Sequence, residues 1–319
     1  GLSGATSGTF DIAAGAATAI AGVAGTGQTG ATLSVLADSL AFRVTDALGN
    51  PVAGVNVSAN VSLGGGTVSP VSGNTDATGV FRTQWTLGTA VGSVAVNAFV
   101  TATPAITTVI SATATPGAPT TLVLVGTIGQ QTAGVNLPDV LFEIHDAAGN
   151  IVTSYNGPVF GRISTSPQGP APDSVTVTAV AGIATFTGVN LSAAGDYVLR
   201  ANLPSGAEGF TNLFAVLAGP AAFVEPALQG SGDGQSAIVG TPLALPLRAL
   251  VTDTEANGIP GIGVTYTTVR GVDTLDVTTV TTDGVGVASF TPIMPATVGA
   301  VQVIVTSVGL TGSGFSFTV

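Results

Sequence analysis

Two stretches decide the fold: Val44-Thr45-Asp46-Ala47-Leu48-Gly49-Asn50-Pro51-Val52-Ala53-Gly54-Val55 and Val251-Thr252-Asp253-Thr254-Glu255-Ala256-Asn257-Gly258-Ile259-Pro260-Gly261-Ile262. They stand 207 residues apart, and the same offset carries Gly25 to Gly232, Gln28 to Gln235, Asp76 to Asp283, Gly79 to Gly286 and Gly92 to Gly299 without a gap. A weaker copy lies between them, in which Gln130, Asp146, Gly149, Asn150, Gly182 and Gly195 answer Gln28, Asp46, Gly49, Asn50, Gly79 and Gly92. A period of this kind means one structural unit used repeatedly. The 319 residues therefore divide into three units of a size that folds alone.

Each unit reads as short strands separated by turns. Val55-Asn56-Val57-Ser58-Ala59-Asn60-Val61 and Val301-Gln302-Val303-Ile304-Val305 alternate apolar with polar or small residues, the period of a strand buried on one face. Val, Ile and Thr suit a pleated surface because they branch at Cβ. Asp46-Ala47-Leu48-Gly49-Asn50-Pro51 and Asp146-Ala147-Ala148-Gly149-Asn150 are turn sequences, since Gly and Asn accept positive φ and Asp bonds its own downstream backbone. In the first unit, strands are predicted near 18–25, 38–46, 53–62, 66–72, 78–88, 92–101 and 107–115. That number of strands in that length predicts a two-sheet sandwich. The expected organisation is an N-terminal strand and linker over 1–17, then domains over 18–115, 116–219 and 220–319.

Composition removes most chemistry. There is no Cys, so there is no disulfide, thiolate zinc site, iron–sulfur cluster or cysteine nucleophile. The six basic residues are all Arg, against seventeen acids, for a net charge of -11. Such a chain does not neutralise a phosphate backbone, which argues against nucleic acid. Charged residues are only 7% of the chain, where soluble proteins carry about a quarter. Mean hydropathy is +0.60, yet the best candidate for a membrane span, the uncharged stretch Ile12 to Ala37, is rich in Gly and Thr and does not read as one.

The pattern Val-Thr-Asp-x-x-Gly-Asn-Pro-Val-x-Gly-Val, followed by Thr75-Asp76-x-x-Gly79-Val80 and Gln84-Trp85-Thr86-Leu87-Gly88, resembles the bacterial Ig-like domains of the invasin and intimin type. In the third unit Pro292 replaces Trp85. The middle unit departs further, and its Gly195-Asp196-Tyr197-Val198-Leu199-Arg200-Ala201 is closer to a filamin-type repeat. The resemblance implies an all-β chain of three tandem Ig-like sandwiches forming an extended rod at a bacterial surface. The repeat positions Asp46, Asn50, Gly54, Trp85, Asp146, Asn150, Asp253, Asn257 and Gly261 are read as structural.

The opening residues belong to no complete unit. Phe10-Asp11-Ile12-Ala13-Ala14-Gly15 echoes Phe214-Ala215-Val216-Leu217-Ala218-Gly219, which closes the second unit. Two readings stay open: residues 3–14, with Phe10, Asp11 and Ile12 at their centre, add as a strand to a neighbouring subunit, or the chain is a window from a longer array. With so few charges and no Lys to guard sheet edges, a free rod risks side-by-side association, which favours self-association into a homopolymer.

Other motifs carry less. Gly25-Thr26-Gly27-Gln28-Thr29-Gly30 matches a dinucleotide fingerprint, but it sits among strands and is expected to be a repeat turn. There is no Gly-x-Ser-x-Gly elbow, and the single His145 is expected to bond Asp146 at a strand end. Asp253, Glu255, Asp273, Asp276 and Asp283 lack a calcium-loop pattern and are expected to be solvated turn acids, so no metal or cofactor is expected. Trp85, Tyr155, Tyr197 and Tyr266 are expected in cores or as corner tyrosines rather than stacked on sugars. The reading is thus a non-enzymatic, extracellular or cell-surface structural subunit of a fibre, sheath or surface layer. The alternative is an adhesin stalk or carbohydrate-binding accessory module with a glycan or host receptor as partner.

Overall fold

The structure, a computed structural model, describes residues 11–169, 175–228 and 230–319. Among the described residues it consists of strands, turns and coil, with no helix. Six sheets face each other in pairs, and no strand of one pair belongs to another. In the first pair, one sheet runs Ala19–Ala24, Leu40–Thr45, Val80–Leu87, Gly66–Ser69. The other runs Thr29–Ala31, Thr103–Thr115, Gly92–Val100, Asn56–Leu63, Ser72–Asn74. The second pair sets Thr121–Leu124, Val140–His145 and Ile183–Phe186 against a sheet centred on Gly195–Asn202. The third sets Phe223–Pro226, Leu247–Thr252 and Val287–Phe290 against a sheet centred on Gly263–Arg270 and Gln302–Thr306.

Alternation does what the sequence demanded of it. Along Gly92–Val100 the side chains of Val94, Val96, Ala98 and Val100 are buried, while their neighbours face outward. Each pair of sheets encloses its own apolar core. The first core holds Trp85 on one sheet and small Ala59 on the opposite one. At the repeat-equivalent positions the third sandwich has buried Pro292 and fully buried Tyr266, so the large ring has moved to the other sheet and total volume is kept.

One feature was not predicted. The first strand does not run straight through residues 18–25 and stop. It leaves the Leu40–Thr45 sheet at Gly25 (φ +84°), crosses the sandwich, and re-forms as Thr29–Ala31, parallel to Thr113–Thr115. The Gln28 side chain holds this crossing: Nε2 donates to the Gly25 and Asp38 carbonyls at 3.0 and 2.9 Å, and Oε1 accepts from Asp38 N–H at 2.8 Å. Gln235 repeats the clamp on Gly232 and Leu245. The Gly-x-Gly-x-x-Gly run is therefore a crossover turn. In the middle sandwich the corresponding turn is held by Asn212, which bonds both backbone groups of Ile128, so the equivalence drawn from Gln130 to Gln28 does not extend to its role.

Candidate functional site

The repeated Asp-containing turn lies where one sandwich meets the next. Its local part follows from sequence: an Asp at a strand end accepts backbone N–H groups two and four residues on, which closes the turn. Asp46 Oδ1 accepts from Leu48 and Asn50 at 2.9 Å each. Asp146 accepts from Ala148 at 2.9 Å and Asn150 at 2.8 Å, and Asp253 from Glu255 and Asn257 at the same distances. The other carboxylate oxygen accepts the N–H of a glycine in the segment leading into that sandwich: Gly15 at 2.9 Å, Gly117 at 2.8 Å and Gly219 at 2.7 Å.

The Asn of the turn then reaches across the joint. Asn150 Nδ2 donates to the Thr89 carbonyl of the first sandwich at 2.8 Å, and Asn257 Nδ2 to the Ser192 carbonyl of the second, also at 2.8 Å. Thr89 and Ser192 occupy the same repeat position, three residues before Gly92 and Gly195. At the second joint, Ala194 N–H also donates to Asn257 Oδ1 at 2.8 Å. A Cβ placed on Gly134 would stand 2.8 Å from a Glu255 carboxylate oxygen, so that side chain too lies against the second sandwich. At the first joint, Thr32 Oγ1 donates to Asp146 Oδ2 at 2.7 Å. Each joint is thus a clasp in which one carboxylate gathers its own turn and the incoming chain, while the Asn grips the preceding sandwich.

Burial and bonding compete at these carboxyls. Burial pushes Asp146 up, but the Gly117 N–H, the Thr32 hydroxyl and Asn150 outweigh it and hold the group well below the usual carboxylate range. Asp253 is likewise lowered against the cost of burial by Asn257, Gly219 and Glu255. Asp46 is held down to about 2, first by the Gly15 N–H and then by the Asn50 side chain. Asp253 was expected to be a solvated turn acid; instead it is buried, as Asp46 and Asp146 are, because the carboxylate must reach the incoming backbone as well as its own turn.

The other predicted positions fall as follows. Gly54 and Gly261 adopt φ of +75° and +78° and donate to the carbonyls of Thr75 and Thr282, whose buried hydroxyls tie the same turns. Asp76 and Asp283 each bind their own turn, and Asp276 bonds Thr278. Among the described residues no three potential metal-ligating side chains come together. His145 bonds Glu143 at 3.0 Å rather than Asp146. Residues two apart share a strand face, whereas Asp146 lies beyond the strand end and is drawn into the joint. Trp85, Tyr197 and Tyr266 are buried; Tyr197 donates to the Ala193 carbonyl at 2.8 Å in a corner arrangement, and Tyr266 donates to that of Ala288 at 2.7 Å. Tyr155 donates to the Pro158 carbonyl at 2.9 Å. Of the proposed donor strand, Phe10 lies outside the described residues, while Asp11 and Ile12 are exposed and pair with no strand.

Sequence reasoning missed Gly15, Gly117, Gly219, Thr32, Thr89 and Ser192. The glycines precede their aspartates by 31, 29 and 34 residues, so no fixed spacing announces the bond.

No protein-family model and no curated protein sequence matches the chain. Solved structures similar to it include FdeC, an Escherichia coli adhesin (18% identity, TM-score 0.43, covering 97% of this chain and 99% of that one). Another is InvD of Yersinia pseudotuberculosis (18% identity, TM-score 0.39, covering 94% and 96%). A third is invasin, a bacterial integrin-binding protein (19% identity, TM-score 0.38), where the match covers 92% of this chain and 57% of that one.

Proposed function

We propose that the chain is a non-enzymatic stalk of a bacterial cell-surface protein, a spacer of three Ig-like sandwiches over 18–115, 116–219 and 220–319. The observation that carries this reading is the clasp. The same Asp, Asn and glycine N–H recur at both joints with matching distances, so the joints are built as carefully as the cores. The last strand of each sandwich runs almost directly into the joint: Thr115 ends one strand two residues before Gly117, and Leu217 ends another two residues before Gly219. A linker that short, tied to the next sandwich by its glycine N–H, has little freedom to bend, which is what a spacer requires. The low charge and the family resemblance of the first unit support the same reading, and the burial of Trp85, Tyr197 and Tyr266 speaks against a sugar-stacking platform built from them.

Small-angle X-ray scattering of the dilute chain tests it. A single globule of this length has a radius of gyration of about 20 Å. Three sandwiches in line, each roughly 30–40 Å long from strand lengths at about 3.3 Å per residue, give about 30 Å. A value near that of the globule overturns the stalk.

A further inference from the structure

The middle sandwich lacks a ring that both of its neighbours have. Backbone bonds fix the equivalent positions: Leu36 N–H donates to the Trp85 carbonyl at 2.9 Å, Leu137 to that of Val189 at 2.8 Å, and Leu243 to that of Pro292 at 3.2 Å. By the sequence offset that relates Gly79 to Gly182, Gly188 answers Trp85, and it is smaller still. On the opposite sheet Ala59 pairs with Ala98, Gly161 with Ala201 and Tyr266 with Val305, the partners standing six residues after Gly92, Gly195 and Gly299. Across the core, the first sandwich thus sets Trp85 against Ala59, and the third sets Pro292 against Tyr266. The middle one sets Val189 against Gly161. Here small faces small, and no exchange of volume between the sheets restores close packing.

A cavity of about 430 Å³ lies at these two residues, walled with them by Phe142, Ile163, Phe186 and Leu199. Phe142 and Phe186 meet edge to face, with ring centroids 6.2 Å apart. A Cβ on Gly161 would stand 2.5 Å from Phe186 Cε1, so the missing side chain is what lets this ring lie against the strand. Arg162 and Arg200 also border the space, but their guanidinium groups lie on the outer face of the sheet. There Arg162 donates to Asn202 at 3.3 Å, and Arg200 pairs with Glu208 beside the Phe210 ring. Exposed Thr187, Gly188 and Asn190 form a rim through which the cavity reaches the surface. Small-molecule sites span roughly 300–1,000 Å³, and an apolar cavity of roughly 150 Å³ already takes up benzene.

We propose that this cavity binds a small, uncharged aromatic molecule of one or two fused rings, which enters past Thr187 and Asn190 and takes the place that Trp85 and Tyr266 fill in the neighbouring sandwiches. The walls select that class of ligand. The edges and faces of Phe142 and Phe186 suit a further ring. A charged ligand would shed its hydration among apolar walls, and among the described residues no charged side chain turns inward to pair with it. The site is independent of the stalk reading, which rests on the joints and survives its failure.

Indole is the probe that tests it. Titration of the full chain followed by methyl NMR is expected to give saturable shifts with a Kd of about 1 mM or tighter. The shifts fall on Ile163, Val189 and Leu199 and leave Leu36 and Ile110 of the first core unmoved. Two variants fill the space from opposite sheets: Val189→Trp sets an indole where that of Trp85 stands, and Ile163→Phe narrows the cavity from the facing strand. Each keeps the far-UV circular dichroism of the wild-type chain and weakens indole binding at least ~10-fold. Ile163→Phe decides the matter should Val189→Trp fail to fold. Indole that does not saturate, shifts centred on the first or third core, or an affinity unmoved in a folded variant each overturns the proposal.

Discussion

The bond between Thr32 and Asp146 links two sandwiches through a buried, charge-assisted contact, and its worth can be measured in isolation. Asp146→Asn keeps the size of the side chain and the oxygen that closes the local turn. Where Oδ2 stood, it presents an amide donor to the Gly117 N–H at 2.8 Å and to the Thr32 hydroxyl at 2.7 Å. Two donors lose a charged acceptor in a buried site, at a cost of about 2–4 kcal/mol. Thr32→Val removes one donor while its acceptor keeps other partners, at about 1–2 kcal/mol. Made together, the two changes remove the same bond once, so a double-mutant cycle gives a coupling of about 1–2 kcal/mol. Trp85, the sole Trp, is fully buried in the first sandwich, so its fluorescence reports that sandwich alone while far-UV circular dichroism reports the whole chain. Unfolding in urea should show Asp146→Asn, a change in the second sandwich, lowering the Trp85 midpoint in the first. A coupling below about 0.3 kcal/mol, or a Trp85 transition blind to Asp146→Asn, would refute the clasp as an energetic link.

Three further outcomes follow from the same structure. Trp85→Ala empties the centre of the first core and should cost about 3–5 kcal/mol, read as a loss of that sandwich's transition in calorimetry while the others persist. Gly79 sits at φ +71° with a Cβ position 2.8 Å from the Val44 carbonyl, so Gly79→Ala is both strained and crowded and should destabilise by about 2–4 kcal/mol in denaturant titration, with Gly286→Ala behaving alike in the third sandwich. The joint carboxyls have folded pKa values below the ordinary 3.8, so their stabilisation is fully present above that value and is lost as pH falls through the lowered one, near 2 for Asp46. Thermal midpoints should therefore hold from neutral pH down to the ordinary carboxylate range and fall below it, and Asp146→Asn should flatten that fall.

Much of this molecule is legible before folding. The offset of 207 residues, the alternation of Val and Thr with outward polar residues, and the Asp-x-x-Gly-Asn turns specify repeated two-sheet sandwiches, because strand period and turn chemistry are local properties of the chain. For the same reason the seven strands placed in the first unit lie close to those observed, and Trp85 falls in the core. The crossing of the first strand to the opposite sheet escaped that reading, since it depends on Gln28 meeting Asp38 across a fold rather than on any local pattern.

The joint shows the division most clearly. Sequence marks Asp146 and Asn150 as a turn, and part of their hydrogen bonding is indeed spent within it. The rest goes to Gly117, Thr32 and Thr89, groups separated from them by up to 114 residues and by no constant interval. Only the packing of one finished sandwich against the next brings Thr32 and Thr89 to this turn, while Gly117 reaches it from the linker, as Gly15 reaches Asp46. A carboxylate has two oxygens that accept independently; the chain's local order determines what one of them binds, and tertiary structure decides the partner of the other.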